Sequence, residues 1–578
     1  MAQPRARGNR RVWLPAVAFG LASMAILTRL VFVQIIDHQL YAQKAENELR
    51  VDEDTFGLRG SILDRNGNVL AASLDTWDIY VSAQIWQNPA KAQAGAAEIG
   101  KALKMDPAKI QAMVLRNKFG DIIIKKDVPY ETGSALIAKS VPGLVALPNL
   151  VRTNPEGDIG ASLVGLIGED NAGLAGLEAT LNRELQGTPG KIIYERDTIG
   201  GVIPFGQYIV RKPTAGKDVI LTIDRYLQRM AEQRLDAAIK EHHAVGGDII
   251  MMDPDTGEIY ALATSPRLKY SSLNLSDPGQ GALLKNTAVT DLYEPGSVMK
   301  IVTAAAAIDA GVVTENTGYT DTGVVKIYDT EIKNWDNSVY GNQTMTGVLQ
   351  NSINTGAIFM EQKLGKDRFM KYVDAFGFGK PTGIDLSGEA EGIFRRPGDD
   401  GWTPVDPATQ SFGQAISVTP IQMLTAVAAV INGGTLVRPH VVKATVGADG
   451  KVQDVKTQVV GHPISEATSM TLRRMLHAVV DPPERGHPGK PRDYSAGGKS
   501  GTANVPISNG YNDTQIASFI GFAPADHPKL LVLVKLDRNT DGQTGTAAAA
   551  PVFAKIADDA LHYLNVRPDA AQYAQAPR

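Results

Sequence analysis

Apolar positions are concentrated at one end of the chain and dispersed along the rest of it. Residues 12–36 read VWLPAVAFGLASMAILTRLVFVQII, 25 positions with one charge, Arg29. As a helix this stretch spans about 37 Å, enough to cross a hydrocarbon core of about 30 Å with tilt to spare. The pattern predicts a transmembrane anchor over 12–36. Ahead of it Arg5, Arg7, Arg10 and Arg11 stand without an acidic residue, so residues 1–11 are expected in the cytoplasm and everything after Ile36 outside it. A cleaved signal peptide is the competing reading. The apolar run exceeds the usual h-region, however, and no A-x-A site closes it. Arg29 lies about two turns from the outer end, where its stem can snorkel to the interface; the alternative is that it faces a partner membrane helix.

Beyond the anchor the pattern becomes mixed. Residues 37–50 are polar and helical in texture, and continue the anchor outward. From Arg59 to Ala71 the chain reads strand, turn, strand, because Asn66-Gly67 between apolar runs is a hairpin signal. Residues 88–145 alternate helical patches such as AKAQAGAAEIGKALK with short strands such as DIIIKK, and glycines and prolines crowd 150–215. Residues 37–215 are therefore predicted to be an α+β module with no catalytic cluster. The texture changes at Lys217. A strand leads to Asp224 as N-cap, then to a helix with apolar positions at Leu227, Met230, Ala231, Leu235 and Ala238. GGDIIMMDPDTGEIYALATSP reads as a hairpin turning at Asp253 to Gly257. Near the far end, ASFIGFAP and KLLVLVKLD are strand-like, so a helix-rich insert lies between two groups of antiparallel strands. This second domain is placed at 216–565, and residues 566–578, rich in Ala, Gln and Pro, are expected to be a flexible tail.

Composition narrows the classes. A chain of 578 residues with 43% hydrophobic and 21% charged positions is ordinary folded protein of two or more domains. A net charge of −4 carries no basic excess, so nucleic acid is not an expected partner. With no cysteines, disulfides, thiolate metal sites and cysteine nucleophiles are excluded.

Three short polar motifs carry candidate chemistry. They are Ser297-Val298-Met299-Lys300, Ser352-Ile353-Asn354 and Lys499-Ser500-Gly501-Thr502. Together they supply a serine nucleophile, a lysine able to take its proton, a hydroxyl-amide pair, and a cation beside two hydroxyls. Ser297 opens an almost wholly apolar helix, and positions i and i+3 share one face, so Lys300 can reach its hydroxyl. To act as base the amine must be neutral; burial, the helix dipole and a second cation all push that way, and Lys499 is the candidate second cation. Taken singly, Ser297 is an N-cap serine, Lys300 a surface lysine and Ser352-Asn354 a simple cap. Taken together, Ser352 relays protons and Asn354 fixes a substrate backbone. Lys499, Ser500 and Thr502 suit a carboxylate, with Gly501 letting substrate lie against the strand edge.

Other matches fail. Gly498-Lys499-Ser500 resembles the end of a phosphate-binding loop, but Asp493 stands where that motif needs glycine. Gly377-Phe378-Gly379 lacks the third glycine and the βα setting of a dinucleotide site. The nine histidines show no ligand spacing, so neither metal nor cofactor is expected.

These motifs, in this order, resemble the active-site set of penicillin-binding proteins and serine β-lactamases. Asn286 through Gly296 leading into Ser297, Ser411-Phe412-Gly413-Gln414 with Val418-Thr419-Pro420, the Arg59 to Ala71 stretch, Gly176-Leu177-Glu178 and the single anchor look like class B penicillin-binding proteins. The resemblance covers nearly the whole chain. It implies an α+β fold: a membrane helix, a non-catalytic pedestal of the dimerisation type, and a transpeptidase domain whose antiparallel sheet carries helices on both faces and a helical insert.

The activity it implies is a peptidoglycan D,D-transpeptidase. Ser297 would attack the D-Ala-D-Ala carbonyl with Lys300 as base, Ser352 would pass the proton to the leaving D-Ala, and Asn354 would hold the donor stem peptide. Lys499, Ser500 and Thr502 would bind the terminal carboxylate, and the amides of Ser297 and Thr502 would form the oxyanion hole. β-Lactams would acylate Ser297. Implied partners are peptidoglycan stem peptides as donor and amine acceptor, β-lactams, and a polytopic glycan polymerase with other division proteins in the membrane. Ser500 stands where threonine is more usual and Ile353 at a variable position; both keep the chemistry. Glu53-Asp54 and Phe56 lack the histidine of a glycosyltransferase motif. Septal synthesis in cell division is the expected role, against elongation or sporulation. A D,D-carboxypeptidase or β-lactamase-type hydrolase is the alternative activity. A structural or regulatory role and β-lactam sensing are the readings outside catalysis, but eleven cytoplasmic residues leave a sensor no signalling domain.

Overall fold

A computed structural model describes residues 10–573 except 56, 169, 196–207, 275–276, 483–485 and 508–509. Packing divides the chain into two units, 1–57 with 187–215, and 58–186 with 216–578. In the first, Trp13–Ile36 is long and apolar enough to cross a membrane. It is α-helical over Arg10–Val31 and closes in a π-helical turn, Phe32–Ile36; a bend at Asp37 leads into a second helix, His38–Leu49. Arg29 is exposed on it. The same unit holds a three-stranded sheet in which Gly190–Glu195 lies between Arg50–Thr55 and Tyr208–Arg211.

In the second unit, strands β1 (Ile62–Leu63) and β2 (Val69–Ser82) form the hairpin expected at Asn66-Gly67, with Gly67 at φ +85°. The Asp64 carboxylate accepts from the amides of Asn66 and Asn68 and stabilises the turn. β2 runs on between β3 (Asp121–Pro129) and β4 (Leu144–Thr153), antiparallel to both. Helices here cover a core of their own, built on Ile79, Val81, Trp86, Ile99, Val114 and Leu136.

The predicted 37–215 module is not one packing unit. Its β1 pairs in parallel with β5 (Asp218–Leu221), and β5 pairs in turn with Val442–Val446 of the following domain. Ile62, Leu70, Leu177 and Leu185 share a single hydrophobic cluster with the catalytic helices. The Arg59 and Glu178 signatures meet within the 58–186 segment: Arg59 Nε donates to Glu178 Oε2 at 2.6 Å and Arg152 Nε to Oε1 at 2.7 Å. Arg59 also donates to the Asn171 carbonyl and the Asn182 side chain. A buried carboxylate with both oxygens on guanidinium groups has the geometry that repays desolvation.

The catalytic part is built on a five-stranded antiparallel sheet, ordered β7-β6-β10-β9-β8. Its strands are β6 (Gly246–Met252), β7 (Ile259–Ser265), β8 (Gly497–Ile507), β9 (Gly510–Ala523) and β10 (Leu530–Asn539). The two strand groups separated in sequence therefore form one sheet, joined where β6 pairs β10. Period-two alternation splits its residues between two cores. Ile249, Met251, Val532 and Val534 meet helices α1 (Arg225–His242) and α5 (Ala550–Tyr563) on one face. Ile250, Met252, Leu531 and Leu533 meet α2 (Lys300–Asp309) and α4 (Pro420–Ile431) on the other. α1 buries Leu227, Met230, Ala231, Leu235 and Ala238, and Asp224 caps it by accepting from the Tyr226 and Leu227 amides.

The expected flexible tail begins too early. Tyr494 Oη donates to the Val566 carbonyl at 2.7 Å, the Asp569 carboxylate accepts from the Ser495 amide and hydroxyl, and Ala570–Tyr573 is a short helix. With the Ala570 amide donating to the Asp493 carbonyl at 3.2 Å, four hydrogen bonds hold 566–570 against the approach to β8, an arrangement that composition alone does not reveal.

Candidate active site

Ser297 lies in a tight 3-10 turn, Gly296–Met299, that runs straight into α2. It is not the cap: the N-cap position is Pro295, and the Ser297 side chain is turned to Lys300 instead. The turn is pressed from behind. Gly296 donates its N–H to the Gly413 carbonyl at 3.1 Å, and a β-carbon on Gly413 would sit 2.1 Å from the Gly296 oxygen. The Ser411 to Gln414 segment thus acts as a backbone floor, reinforced where Thr303 Oγ1 donates to the Ser411 carbonyl. Thr419 and Gln422 form a reciprocal capping box at the head of α4, just after Val418 exchanges both backbone hydrogen bonds with Tyr293.

Lys300 is wholly buried, and its Nζ is the centre of the site. It lies 3.0 Å from Ser297 Oγ, 2.6 Å from the Ser352 carbonyl, 3.3 Å from Ser352 Oγ and 2.8 Å from Asn354 Oδ1. The orientation of the Asn354 amide is fixed because its Nδ2 donates to the Lys333 carbonyl at 3.0 Å. Burial, with the nearby charge of Lys499, holds the Lys300 pKa well below the ordinary lysine value. A neutral amine has two protons and one lone pair. The Ser352 carbonyl and Asn354 Oδ1 can only accept, so they take the two protons. The lone pair is left for the hydroxyl of Ser297, the arrangement a general base needs.

Ser352 and Asn354 stand at the head of α3 (Asn354–Leu364) without capping it: the N-cap residue is Ile353, and no side chain of this turn caps. Ser352 has φ +56°, a left-handed conformation that costs a non-glycine residue about 1–3 kcal/mol and collects at functional sites. It lets the carbonyl and hydroxyl of one residue both face the lysine. The amides at the head of α3 are satisfied from elsewhere, by Asn334, which no motif flagged.

Lys499, Ser500, Gly501 and Thr502 lie within edge strand β8. Lys499 is 1% exposed and donates to Ser352 Oγ at 3.0 Å and to the Ser500 carbonyl at 3.1 Å. Burial pushes its pKa down to about 7. The Ser352 hydroxyl thus bridges the two lysines. Gly501 allows close approach: a β-carbon there would meet Ser518 Oγ at 2.5 Å and the Pro295 carbonyl at 2.8 Å. Strand and serine turn converge, since a β-carbon on Gly296 would lie 3.0 Å from the Thr502 carbonyl oxygen. In an antiparallel strand one residue's C=O and N–H point to the same side, so the Thr502 N–H also faces the turn of Ser297. Thr502 Oγ1 accepts from the Gly545 amide at 3.1 Å. Among the described residues no cluster of metal-ligating side chains is found.

Residues 247–558 match the penicillin-binding protein transpeptidase domain, and residues 55–221 match the penicillin-binding protein dimerisation domain. Stage V sporulation protein D of Bacillus subtilis is 34% identical over 97% of this chain and 86% of its own length. Peptidoglycan D,D-transpeptidase FtsI of Escherichia coli is 30% identical over 95% of this chain and 91% of its own. Among solved structures, penicillin binding protein 2X from Streptococcus thermophilus superposes with a TM-score of 0.80 at 23% identity, covering 91% of this chain and 82% of that one. Penicillin binding protein 3 of Mycobacterium tuberculosis complexed with aztreonam gives 0.68 at 26% identity, over 89% of this chain and 98% of that one.

Proposed function

The chain belongs to the penicillin-binding protein transpeptidases, and on that premise we propose that it cross-links peptidoglycan through a serine acyl-enzyme, with Ser297 as nucleophile. The observation that carries the proposal is the wholly buried Lys300, its pKa held well below the ordinary lysine value, with Nζ 3.0 Å from Ser297 Oγ. Lys300 takes the hydroxyl proton as Oγ attacks the carbonyl between the terminal D-alanines of a stem peptide. The oxyanion forms beside the N–H groups of Ser297 and Thr502. The C–N bond breaks as the proton passes from Lys300 through the Ser352 hydroxyl to the departing D-Ala amine. The acyl ester on Ser297 then meets the acceptor amine, whose proton returns by the same path; an amide cross-link forms and the serine is restored. Asn354 holds the donor backbone. Lys499, with the Ser500 and Thr502 hydroxyls, takes the terminal carboxylate, and that negative charge draws the Lys499 pKa back up from about 7.

A hydrolase would use the same acyl-enzyme, with water in place of the amine. The apolar anchor and the dimerisation-type domain favour an amine acceptor held at the wall and a long-lived drug adduct. Mass spectrometry of penicillin-treated protein tests the assignment: the adduct is expected on Ser297, persisting for hours, and absent in Ser297→Ala. An adduct elsewhere refutes the nucleophile, and rapid release refutes the synthase.

The apolar N-terminal helix makes this a single-pass membrane protein. The proposed orientation keeps residues 1–11 in the cytoplasm and the site outside the inner membrane, where the wall is. A role in septal synthesis beside a polytopic glycan polymerase completes the proposal. Depletion is then expected to give filaments; rounded cells would place the chain in elongation instead.

A further inference from the structure

The turn that presents Ser352 and Asn354 to Lys300 is not held by its own residues. α3 begins there with no side-chain cap of its own, and the first N–H groups of a helix require acceptors. They find one across the fold. Asn334, 2% exposed in the hairpin segment ahead of α3, accepts through Oδ1 from the Asn354 amide at 3.1 Å and the Thr355 amide at 3.3 Å. The orientation of the Asn334 amide is set on its other end, where Nδ2 donates to Asp321 Oδ2 at 2.8 Å and to the Ser338 carbonyl at 3.0 Å.

Asp321 is 1% exposed and accepts four hydrogen bonds. These come from the Gly323 amide at 2.9 Å, Thr355 Oγ1 at 2.7 Å, Asn334 Nδ2 at 2.8 Å and the Tyr340 amide at 2.8 Å. Burial alone would raise its pKa, but these donors, Thr355 first, hold it below the usual carboxylate range. A carboxylate with both oxygens fully engaged cannot shift without breaking several bonds at once. The relay has three links: Asp321 orients Asn334, Asn334 caps the head of α3, and that head fixes the two oxygens that direct the Lys300 protons.

We propose that Asp321 and Asn334 are positioning residues for acylation, holding the Ser352 carbonyl and Asn354 Oδ1 on Lys300 so that its lone pair faces Ser297. The proposal rests on Ser297 being the nucleophile. Removing the cap lets the strained Ser352 relax toward an ordinary conformation, and the lysine loses the acceptors that aim it. The effect belongs to the chemical step, because both side chains are buried and their hydrogen bonds go to the turn and not to the side chains of Ser297, Lys300 or Lys499.

The test uses the full-length protein in detergent and a labelled penicillin, separating the acylation rate constant k2 from the non-covalent dissociation constant K. In Asn334→Ala, k2 is expected to fall about ten- to a hundredfold, the scale of a misplaced catalytic group, with K within about twofold of the parent. Thr355→Val, which keeps the amide and the shape but loses the bond to Asp321, is expected to lower k2 a few-fold. Asn334→Asp keeps the acceptor but sets a second carboxylate against Asp321, and such a pair shares a proton. Its k2 relative to the parent at the same pH is therefore expected to rise as pH falls from about 8 to about 6, because a protonated carboxyl can donate where the amide did.

An unchanged k2 in Asn334→Ala, or a loss confined to K, overturns the proposal. So does a flat pH ratio in Asn334→Asp, which also keeps the test alive if the alanine variant does not fold. Absence of an adduct on Ser297 in the unsubstituted protein refutes the nucleophile itself, a distinct failure.

Discussion

Lys300 and Lys535 are buried alike, at 0% and 2% exposure, yet their surroundings treat them oppositely. Lys535, on β10, lies 3.0 Å from Asp248 and 2.6 Å from Asp537, with the Tyr293 ring centre 5.3 Å away. Burial pulls its pKa down, but Asp537 and Asp248 outweigh that and hold it above the ordinary lysine value. Lys300 is given only neutral oxygens and, beyond them, a second buried lysine, Lys499. The first environment makes a permanent cation that ties strands together, and the second makes a base. Burial does not distinguish the two. The count of carboxylates within reach does, and it separates a structural lysine from a catalytic one.

The sharpest way to break this comparison is to replace each lysine with methionine. Lys300→Met removes the base and is expected to lower penicillin acylation by about a thousandfold or more, with little net change in stability, since leaving the Ser352 carbonyl and Asn354 Oδ1 without a donor is offset by no longer holding a lysine below its ordinary pKa. Lys535→Met leaves Asp248 and Asp537 facing each other without a cation. It is expected to cost about 3–5 kcal/mol, read as a lower thermal midpoint, with near-normal acylation by the molecules that remain folded. Equal losses of stability in the two variants would remove the distinction.

How the two lysines divide bears on what was readable in advance. The three motifs, the α1 core face and the Asp253 hairpin were legible because their signals are local. Leu227 to Ala238 repeat at helical spacing, and Lys300 follows Ser297 by one turn. The pairing of β6 with β10, the Arg59–Glu178–Arg152 cluster and the Asn334 cap were not, because each joins residues far apart in sequence through contacts that leave no periodic trace. The left-handed Ser352 escaped for a related reason: only glycine, or at times asparagine and aspartate, announces that conformation, and a serine there is set by its tertiary surroundings. The C-terminal residues 566–570 were misread as tail because four hydrogen bonds, not composition, hold them.

A second consequence of the comparison is a pH dependence of stability. Lys300 and Lys499 have folded pKa values below their unfolded value, Lys499 at about 7. The unfolded chain therefore binds more protons between those folded values and the ordinary lysine pKa near 10.4, and stability rises with pH across that window. Each lysine adds a slope of up to about 1.4 kcal/mol per pH unit within its own window, which for Lys499 is fullest between about pH 8 and pH 10. Lys535, shifted upward, keeps its proton in both states there and adds no slope. Denaturant midpoints across this range are expected to climb less steeply in Lys300→Met than in the parent chain. Parallel curves would mean that Lys300 is charged in the fold.

The smallest effect distinguishes Lys499 from both of its counterparts. With its pKa at about 7, Lys499 is largely neutral at about pH 8, and a ligand carboxylate beside it favours the ammonium. Binding should therefore take up a fraction of a proton, approaching one per complex. Ser297→Ala isolates the step, because it binds penicillin without forming the ester. Calorimetry in two buffers of different ionisation enthalpy reads the uptake directly. Lys535 already holds its proton, so it contributes nothing to the signal. Lys300, held well below the ordinary value and without access to the ligand carboxylate in the proposed pose, should stay neutral and contribute none. Uptake that vanishes in Lys499→Met assigns the signal to Lys499. Binding with no uptake at about pH 8 would mean that Lys499 meets the carboxylate already charged, and that it resembles Lys535 more than Lys300.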